Sequence, residues 1–320
     1  MLYVDTRWDG NHGIGRFSRE VVCQLDMPWR PLGGSMSPSS PLDVVNPRRL
    51  QLSTRDIVYS PGYNAGLSRA RQILTLHDMI HLQDSSESGQ AKRLYYEKII
   101  KPAVRRARQV LTVSETSRSA IRAWLGDEGV DVINVGNGRS ESFRLDGEKV
   151  DFGHPYYLYV GNSKPHKNID VLFSALVLRP CAQLLIVSSD REDIQARAER
   201  AGVQGRVQVV SGLDDETLAR YYRGASGLLF PSRMEGFGLP AVEALGCGIP
   251  VAYWSGCASL AEIVGAHGPR IDDNNSPTEW AEALDKLSSW GPLAFFDATK
   301  YEWSNVAESI GSVLRSRVAN

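Results

Sequence analysis

Short apolar runs recur through this chain, separated by longer stretches of helical periodicity, and that alternation limits the fold more than any other feature. Residues 2–4, 57–59, 73–76, 110–113 and 132–135 read as strands of one sheet, with helices over 15–25, 90–108 and 115–125 between them. Such alternation marks βα units that wind a parallel sheet. It breaks over 139–155, a polar stretch with glycines and proline and little periodicity, which reads as a linker. A second series then follows. Its strands are 157–160, 184–187, 207–210, 227–230 and 251–253, with helices over 170–178, 190–201, 215–224 and 241–245 and closing helices over 278–288 and 303–317. A length of 320 residues suits two domains. The expectation is an α/β chain of two doubly wound domains, 1–150 and 151–302, with the last helix returning to the first. Their facing edges define a central cleft where strand ends and helix starts converge.

Composition narrows the function classes. Lys and Arg number 36 against 37 Asp and Glu, a formal net charge of −1, so no overall field draws nucleic acid and no nucleic-acid partner is expected. Cys23, Cys181, Cys247 and Cys257 are scattered without a CxxC pair, and read as reduced, mostly buried thiols. The start Met1-Leu2-Tyr3-Val4-Asp5 lacks the basic and apolar regions of a signal peptide, and no apolar run approaches the ~18 residues of a membrane span. A cytoplasmic protein is expected.

The most informative stretch runs from Phe230 to Ala244, as FPSRMEGFGLPAVEA. It leaves a strand, crosses a loop with two glycines and enters a helix with Pro240 near its first position, where the missing N–H costs nothing. Such a helix start directs backbone N–H groups and partial positive charge outward, which suits a phosphate. Glu235 lies on the loop and Glu243 about one turn inside the helix. A second stretch, LYVGNSKPHKN from Leu158 to Asn168, carries a strand into a loop with Lys164 and Lys167 before another helix. Ammonium groups there can neutralise charge on a departing diphosphate.

Glu235 and Glu243, with seven residues between them and Gly-Phe-Gly-Leu-Pro inside, resemble the E-x7-E signature of the retaining glycosyltransferase family 4. The resemblance extends in family order from about Gly13 to Glu262 and implies the GT-B fold of two Rossmann-like domains. It implies that Glu235 lies by the donor sugar hydroxyls, that Glu243 holds the nucleotide ribose, and that Phe237, Gly238 and Leu239 offer backbone amides to sugar and diphosphate. Lys167 stands where the family binds the diphosphate. The family's earlier arginine is replaced by Asn162, with Lys164 as the nearby cation. In the first domain, Gly15 of Gly13-Ile14-Gly15-Arg16-Phe17 matches a glycine loop near the distal phosphate, and Arg16 falls on the acceptor side. Ser18 stands where a dinucleotide fingerprint would need its third glycine, which disfavours an NAD enzyme. His77-Asp78 ends a strand, where open α/β sheets collect active groups. The resemblance puts His77 against the donor sugar and Asp78 and Ser114 on the acceptor side. Gly136-Asn137-Gly138 resembles the turn before the family's linker, and Leu213 lies in its base-binding turn.

From Gln90 to Arg108, Lys92, Arg93, Lys98, Lys101, Arg105, Arg106 and Arg108 face the single acid Glu97, near apolar Leu94, Ile99, Ile100 and Val104. This is a basic amphipathic helix, read either as a peripheral contact to the inner face of an anionic membrane or as a solvated face. Without a DxD pair at a strand end there is no metal site to assign, and no cofactor is expected. The resulting reading is a metal-independent, retaining transfer of a hexose, mannose from GDP-mannose as the first choice, to a saccharide or lipid-linked acceptor. The alternatives are another activity on the same fold, an epimerase or a phosphorylase, and a non-catalytic nucleotide-sugar-binding subunit.

Overall fold

The computed structural model describes residues 1–10, 13–83 (the side chain of Gln83 excepted), 89–126, 129–293 and 296–318. It divides into one unit of Met1–Gly138 with Lys300–Asn320 and another of Arg139–Thr299. In the first unit, β1 (Leu2–Val4), β2 (Arg30–Pro31), β3 (Ile57–Ser60) and β4 (Arg71–Leu74) form a parallel sheet in the order β2-β1-β3-β4. β5 (Gln109–Thr112) pairs in parallel with β6 (Asp131–Asn134), and a bridge between Thr75 and Leu111 continues β4 onto β5. The run Ile57-Val58-Tyr59 in β3 matches the burial of this strand on both faces.

The helix Trp303–Val318 belongs to this first unit, burying Trp303, Val306, Ile310 and Leu314. The Trp303 indole covers Gly138, where a Cβ would overlap the ring, and meets the edge of Phe17 at 5.9 Å.

In the second unit, β7 (Tyr157–Val160), β8 (Leu184–Val187), β9 (Val207–Val210), β10 (Leu228–Phe230), β11 (Val251–Trp254) and β12 (Arg270–Ile271) lie in the order β12-β11-β10-β7-β8-β9, all parallel. Strand order reverses between β7 and β10. The helices Asp170–Leu178 and Pro277–Trp290 pack together over one face, with Phe173, Leu176, Trp280 and Leu284 in a core that also holds Tyr159 and Ile186.

The division falls at Gly138 rather than at 150, and the expected linker 139–155 lies within the second unit. Arg139 donates to the carbonyls of Ser140 and Phe143 at 3.1 and 2.8 Å, Phe143 is fully buried against the edge of Tyr222, and the Val150 N–H bonds the Arg220 carbonyl. Single anchors of this kind leave no periodicity in a sequence. β2 and β12, two residues each, escape sequence reading for the same reason.

At the carboxyl ends of β1 and β3, where the first sheet reverses its own order, four charges are buried together. Arg7 reaches Asp5 at 2.6 Å and Asp43 at 2.6 Å, and Arg49 reaches Asp43 at 2.6 Å and Asp5 at 2.9 Å. Asn64 donates to both carboxylates and itself accepts from the Trp8 indole, while Asn46 donates to Asp43. Burial alone would raise the Asp43 pKa, but the hydrogen bond from Arg7, the charge of Arg49 and the amides of Asn64 and Asn46 outweigh it and hold the carboxyl down to about 2.

Removing one member of a buried, balanced set strands the opposite charge, so Arg49→Met is expected to lower the unfolding free energy by about 3–5 kcal/mol in denaturant titration. Because the folded pKa of Asp43 is depressed, its contribution is complete above the ordinary value near 3.8 and is lost as pH falls through about 2. Asp43→Asn should therefore be less stable at neutral pH and show a flatter loss of stability between those values.

Candidate functional site

The reversal between β7 and β10 sends their following helices to opposite faces, so the two loops leave the sheet side by side at its carboxyl edge. These are the two stretches singled out in the sequence. Lys167 sits at the end of a short 3₁₀ turn, Pro165–Lys167, and Glu235 in the loop after β10. Their side chains meet, Nζ to Oε1, at 2.6 Å, with 16% and 11% exposure. The Lys167 ammonium also lies 6.0 Å from the centre of the Phe230 ring.

Both loops are braced. The Arg233 N–H bonds the His166 carbonyl at 2.7 Å, and the Arg233 guanidinium bonds the side-chain oxygens of Asn168 and Asn275. Asn168, in the left-handed region at φ 52°, donates to the Asn274 carbonyl, and Asn274 donates to that of Pro231. The Glu235 carbonyl accepts from the buried Ser259 hydroxyl at 2.9 Å. Ahead of the lysine, the Asn162 carbonyl accepts from Tyr159 at 2.6 Å, while Asp190 takes the N–H and hydroxyl of Ser163. The Ser163 N–H is the main reason why the Asp190 pKa is lowered.

The helix Leu239–Gly246 begins directly after this loop. Its cap, Gly238, has φ +114°, and an added Cβ would stand 2.7 Å from Leu260 Cδ2. Glycine is thus required twice over, by backbone conformation and by space. Phe237, Gly238 and Leu239 bring the chain to this positive helix end. Glu243, inside the helix and 4% exposed, accepts from the buried Tyr222 hydroxyl at 3.0 Å. The two glutamates are therefore held by different partners, Lys167 and Tyr222. Leu213 lies in the loop before the helix Asp215–Gly224, whose cap Asp214 accepts from the Thr217 N–H. Lys164 lines an open groove of about 640 Å³ with Arg197, Arg200 and Arg233, between the helices Asp170–Leu178 and Arg191–Arg200.

The remaining expected residues cluster within the first unit. Gly15 and Arg16 lie in the first turn of the helix Gly13–Val22, with Gly15 pressed against Gly10 so that no Cβ fits. Phe17, one turn position on, meets the His77 ring edge-on at 4.7 Å. His77 Nε2 is 2.8 Å from the Pro61 carbonyl, which can only accept, so the proton of the neutral ring sits on Nε2 and Nδ1 is the acceptor. The His77 carbonyl takes the Ser117 hydroxyl, and the Ser114 hydroxyl caps the Ser117 N–H. Asp78 accepts from the Ile80 N–H and faces His81 at 3.7 Å. Burial works against its charge, yet His81, this N–H and His77 keep its pKa lowered.

Sequence reasoning did not anticipate the braces Arg233, Asn168, Asn274, Ser259 and Tyr222, which act through contacts distant in the chain. Of the cysteines, Cys247 and Cys257 are buried but Cys23 and Cys181 are exposed, which corrects the expectation of mostly buried thiols. Burial pushes the Cys247 thiol up to about 12. The basic segment is helical from Gln90 through a π turn at Tyr96–Ile100 to Ala107. Its Tyr96, Ile100, Ala103 and Val104 lie in the unit's own core, with Ile99 packed against it, and Leu94 is left exposed. Lys101 pairs with Glu97, and Arg105 and Arg106 donate to the Leu125 and Ser68 carbonyls. The apolar face expected to meet a membrane is thus largely used by the fold. Among the described residues, no helix is long and apolar enough to cross a membrane and no group of three or more His, Cys, Asp or Glu is placed to hold a metal ion.

Residues 146–294 match the family model described as "Glycosyl transferases group 1". The chain is 29% identical over 289 residues to O-antigen chain mannosyltransferase B of Escherichia coli, covering 82% of this chain and 76% of that protein. It is 26% identical to O-antigen chain mannosyltransferase RfbU of Salmonella typhimurium, covering 76% and 69%. Among solved structures it resembles sucrose-phosphate synthase from Thermosynechococcus elongatus with a TM-score of 0.70 at 18% identity, over 99% and 98% of the two chains. At that identity the likeness concerns the fold, which is GT-B with two Rossmann-like units.

Proposed function

We propose that this chain, whose residues 146–294 belong to the glycosyl transferases group 1 family, moves a hexose from a nucleoside diphosphate to a saccharide or lipid-linked acceptor with retention of configuration. The observation that carries the reading is the Lys167–Glu235 pair at the β7/β10 reversal, beside the start of the helix Leu239–Gly246. Lys167 and the helix start bind the donor diphosphate and absorb the charge that grows on it as it leaves. Glu235 accepts from the sugar hydroxyls, and Glu243, steadied by Tyr222, holds the ribose. Asn162, Lys164 and Leu213 complete the donor contacts.

His77, with Nδ1 as its acceptor nitrogen, contacts the donor sugar, and Gly15, packed against Gly10, approaches the distal phosphate. Arg16, Asp78 and Ser114 serve the acceptor. In the transfer, the acceptor oxygen bonds the anomeric carbon on the face from which the diphosphate departs, and the acceptor proton passes to a phosphate oxygen of the leaving group. No enzymic nucleophile, metal or cofactor takes part. The names of the relatives from Escherichia coli and Salmonella typhimurium support mannose, with GDP-mannose as the first donor to test, and the assembly of a surface polysaccharide as the setting. Peripheral membrane contact, on the cytoplasmic side, is electrostatic in this reading, through the exposed Arg93 and Lys98 rather than an inserted apolar face.

Two outcomes are expected. Lys167→Ala weakens binding of the free nucleoside diphosphate far more than that of the nucleoside, by about 1.5–3 kcal/mol in titration calorimetry; equal affinity of variant and parent for the diphosphate would remove lysine from this role. Hexose transfer persists in excess EDTA, whereas recovery of activity only on adding Mg²⁺ or Mn²⁺ would overturn the metal-free mechanism.

A further inference from the structure

Lys167 and Glu235 satisfy one another at 2.6 Å, although the proposed function gives each a different partner. The ammonium is to hold diphosphate, and the carboxylate is to accept sugar hydroxyls. Both backbones are fixed, Lys167 through its N–H to the Lys164 carbonyl at 2.9 Å and Glu235 through its carbonyl to Ser259 at 2.9 Å. Partner exchange is therefore a matter of side-chain rotation. At 16% and 11% exposure, neither charge is screened well enough to be left unpaired without cost.

We infer that Glu235 is a placeholder for the donor diphosphate and sets the preference for the loaded donor over the spent nucleotide. The inference rests on the proposed role of this site. A sugar nucleotide exchanges both partners at once: its diphosphate takes Lys167, and its hydroxyls donate to the released Glu235. A free nucleoside diphosphate offers only the first exchange. It leaves Glu235 without a donor and brings more negative charge beside it, which raises the cost of binding. Once the hexose has been transferred, Glu235 regains Lys167 and the spent nucleotide is displaced. The same pair thus favours entry of substrate and exit of product.

Titration calorimetry with GDP, UDP, ADP and dTDP on the parent protein identifies the tightest-binding diphosphate, which is then compared with its sugar nucleotide (GDP-mannose, UDP-glucose, ADP-glucose or dTDP-glucose). Glu235→Gln keeps the shape of the side chain and removes its charge. It is expected to bind the free diphosphate about tenfold more tightly than the parent while gaining nothing for the sugar nucleotide, so that the preference for the loaded form narrows by the same factor. Glu235→Ala, with folding checked by thermal melting, is expected to move the diphosphate in the same direction. Adding Lys167→Ala to Glu235→Gln should abolish the gain. An unchanged or weaker affinity of Glu235→Gln and Glu235→Ala for the free diphosphate overturns the inference, as a pair that only clamps two loops would give that result. Failure of every diphosphate to bind the parent, or equal binding by parent and Lys167→Ala, would instead remove the proposed diphosphate site itself.

Discussion

A parallel sheet whose strand order reverses must send two neighbouring chain exits to opposite faces, and in the second unit that constraint falls on β7 and β10. The loops after these strands are adjacent because of the topology, whatever their sequence. Adjacency is what lets Lys167, in the loop after β7, reach Glu235, in the loop after β10, and what lets Arg233 and Asn274 brace both loops. The helix Leu239–Gly246 then delivers its positive end to the same edge through a glycine that no other residue could replace without strain.

The first unit meets the same constraint between β1 and β3 and answers it differently. Its reversal point holds Asp5, Arg7, Asp43 and Arg49 with two asparagine amides, and the four charges cancel inside the fold. Such a set is costly to break, and each of its charges already has an opposite partner inside the unit. The second unit leaves a two-charge pair near the surface, whose members can each take up a partner from outside. The first arrangement steadies a scaffold, and the second suits a site that binds and releases a charged molecule.

Much of this was legible in the sequence because the features involved are local. Strands β7, β8, β10 and β11 and the helices Asp170–Leu178, Asp215–Gly224 and Glu115–Leu125 are marked by continuous apolar runs, by caps and by periodicity. Glu235, Gly238, Pro240 and Glu243 lie within one short string whose spacing carries its meaning. What escaped was non-local. Tyr222 is an ordinary helix residue until its hydroxyl meets Glu243 across two helices, and Asp43 and Arg49 stand far along the chain from Asp5. The segment 139–155 looked like a linker because its order comes from single anchors, such as Phe143 and the guanidinium of Arg139, rather than from a pattern. The helix from Gln90 showed its amphipathic character plainly, but a sequence does not say what its apolar side covers; here that is the unit's own core.

Donor binding in the proposed function depends on the diphosphate being held where two loops and a helix start converge. A crystal structure of the protein with its preferred nucleoside diphosphate bound tests this most directly. A phosphate oxygen is expected within hydrogen-bond distance of Lys167 Nζ, at the Gly238 end of the helix, with Glu235 turned away from the lysine. A diphosphate seated instead in the groove of Lys164, Arg197 and Arg200, with the Lys167–Glu235 pair intact, would contradict it.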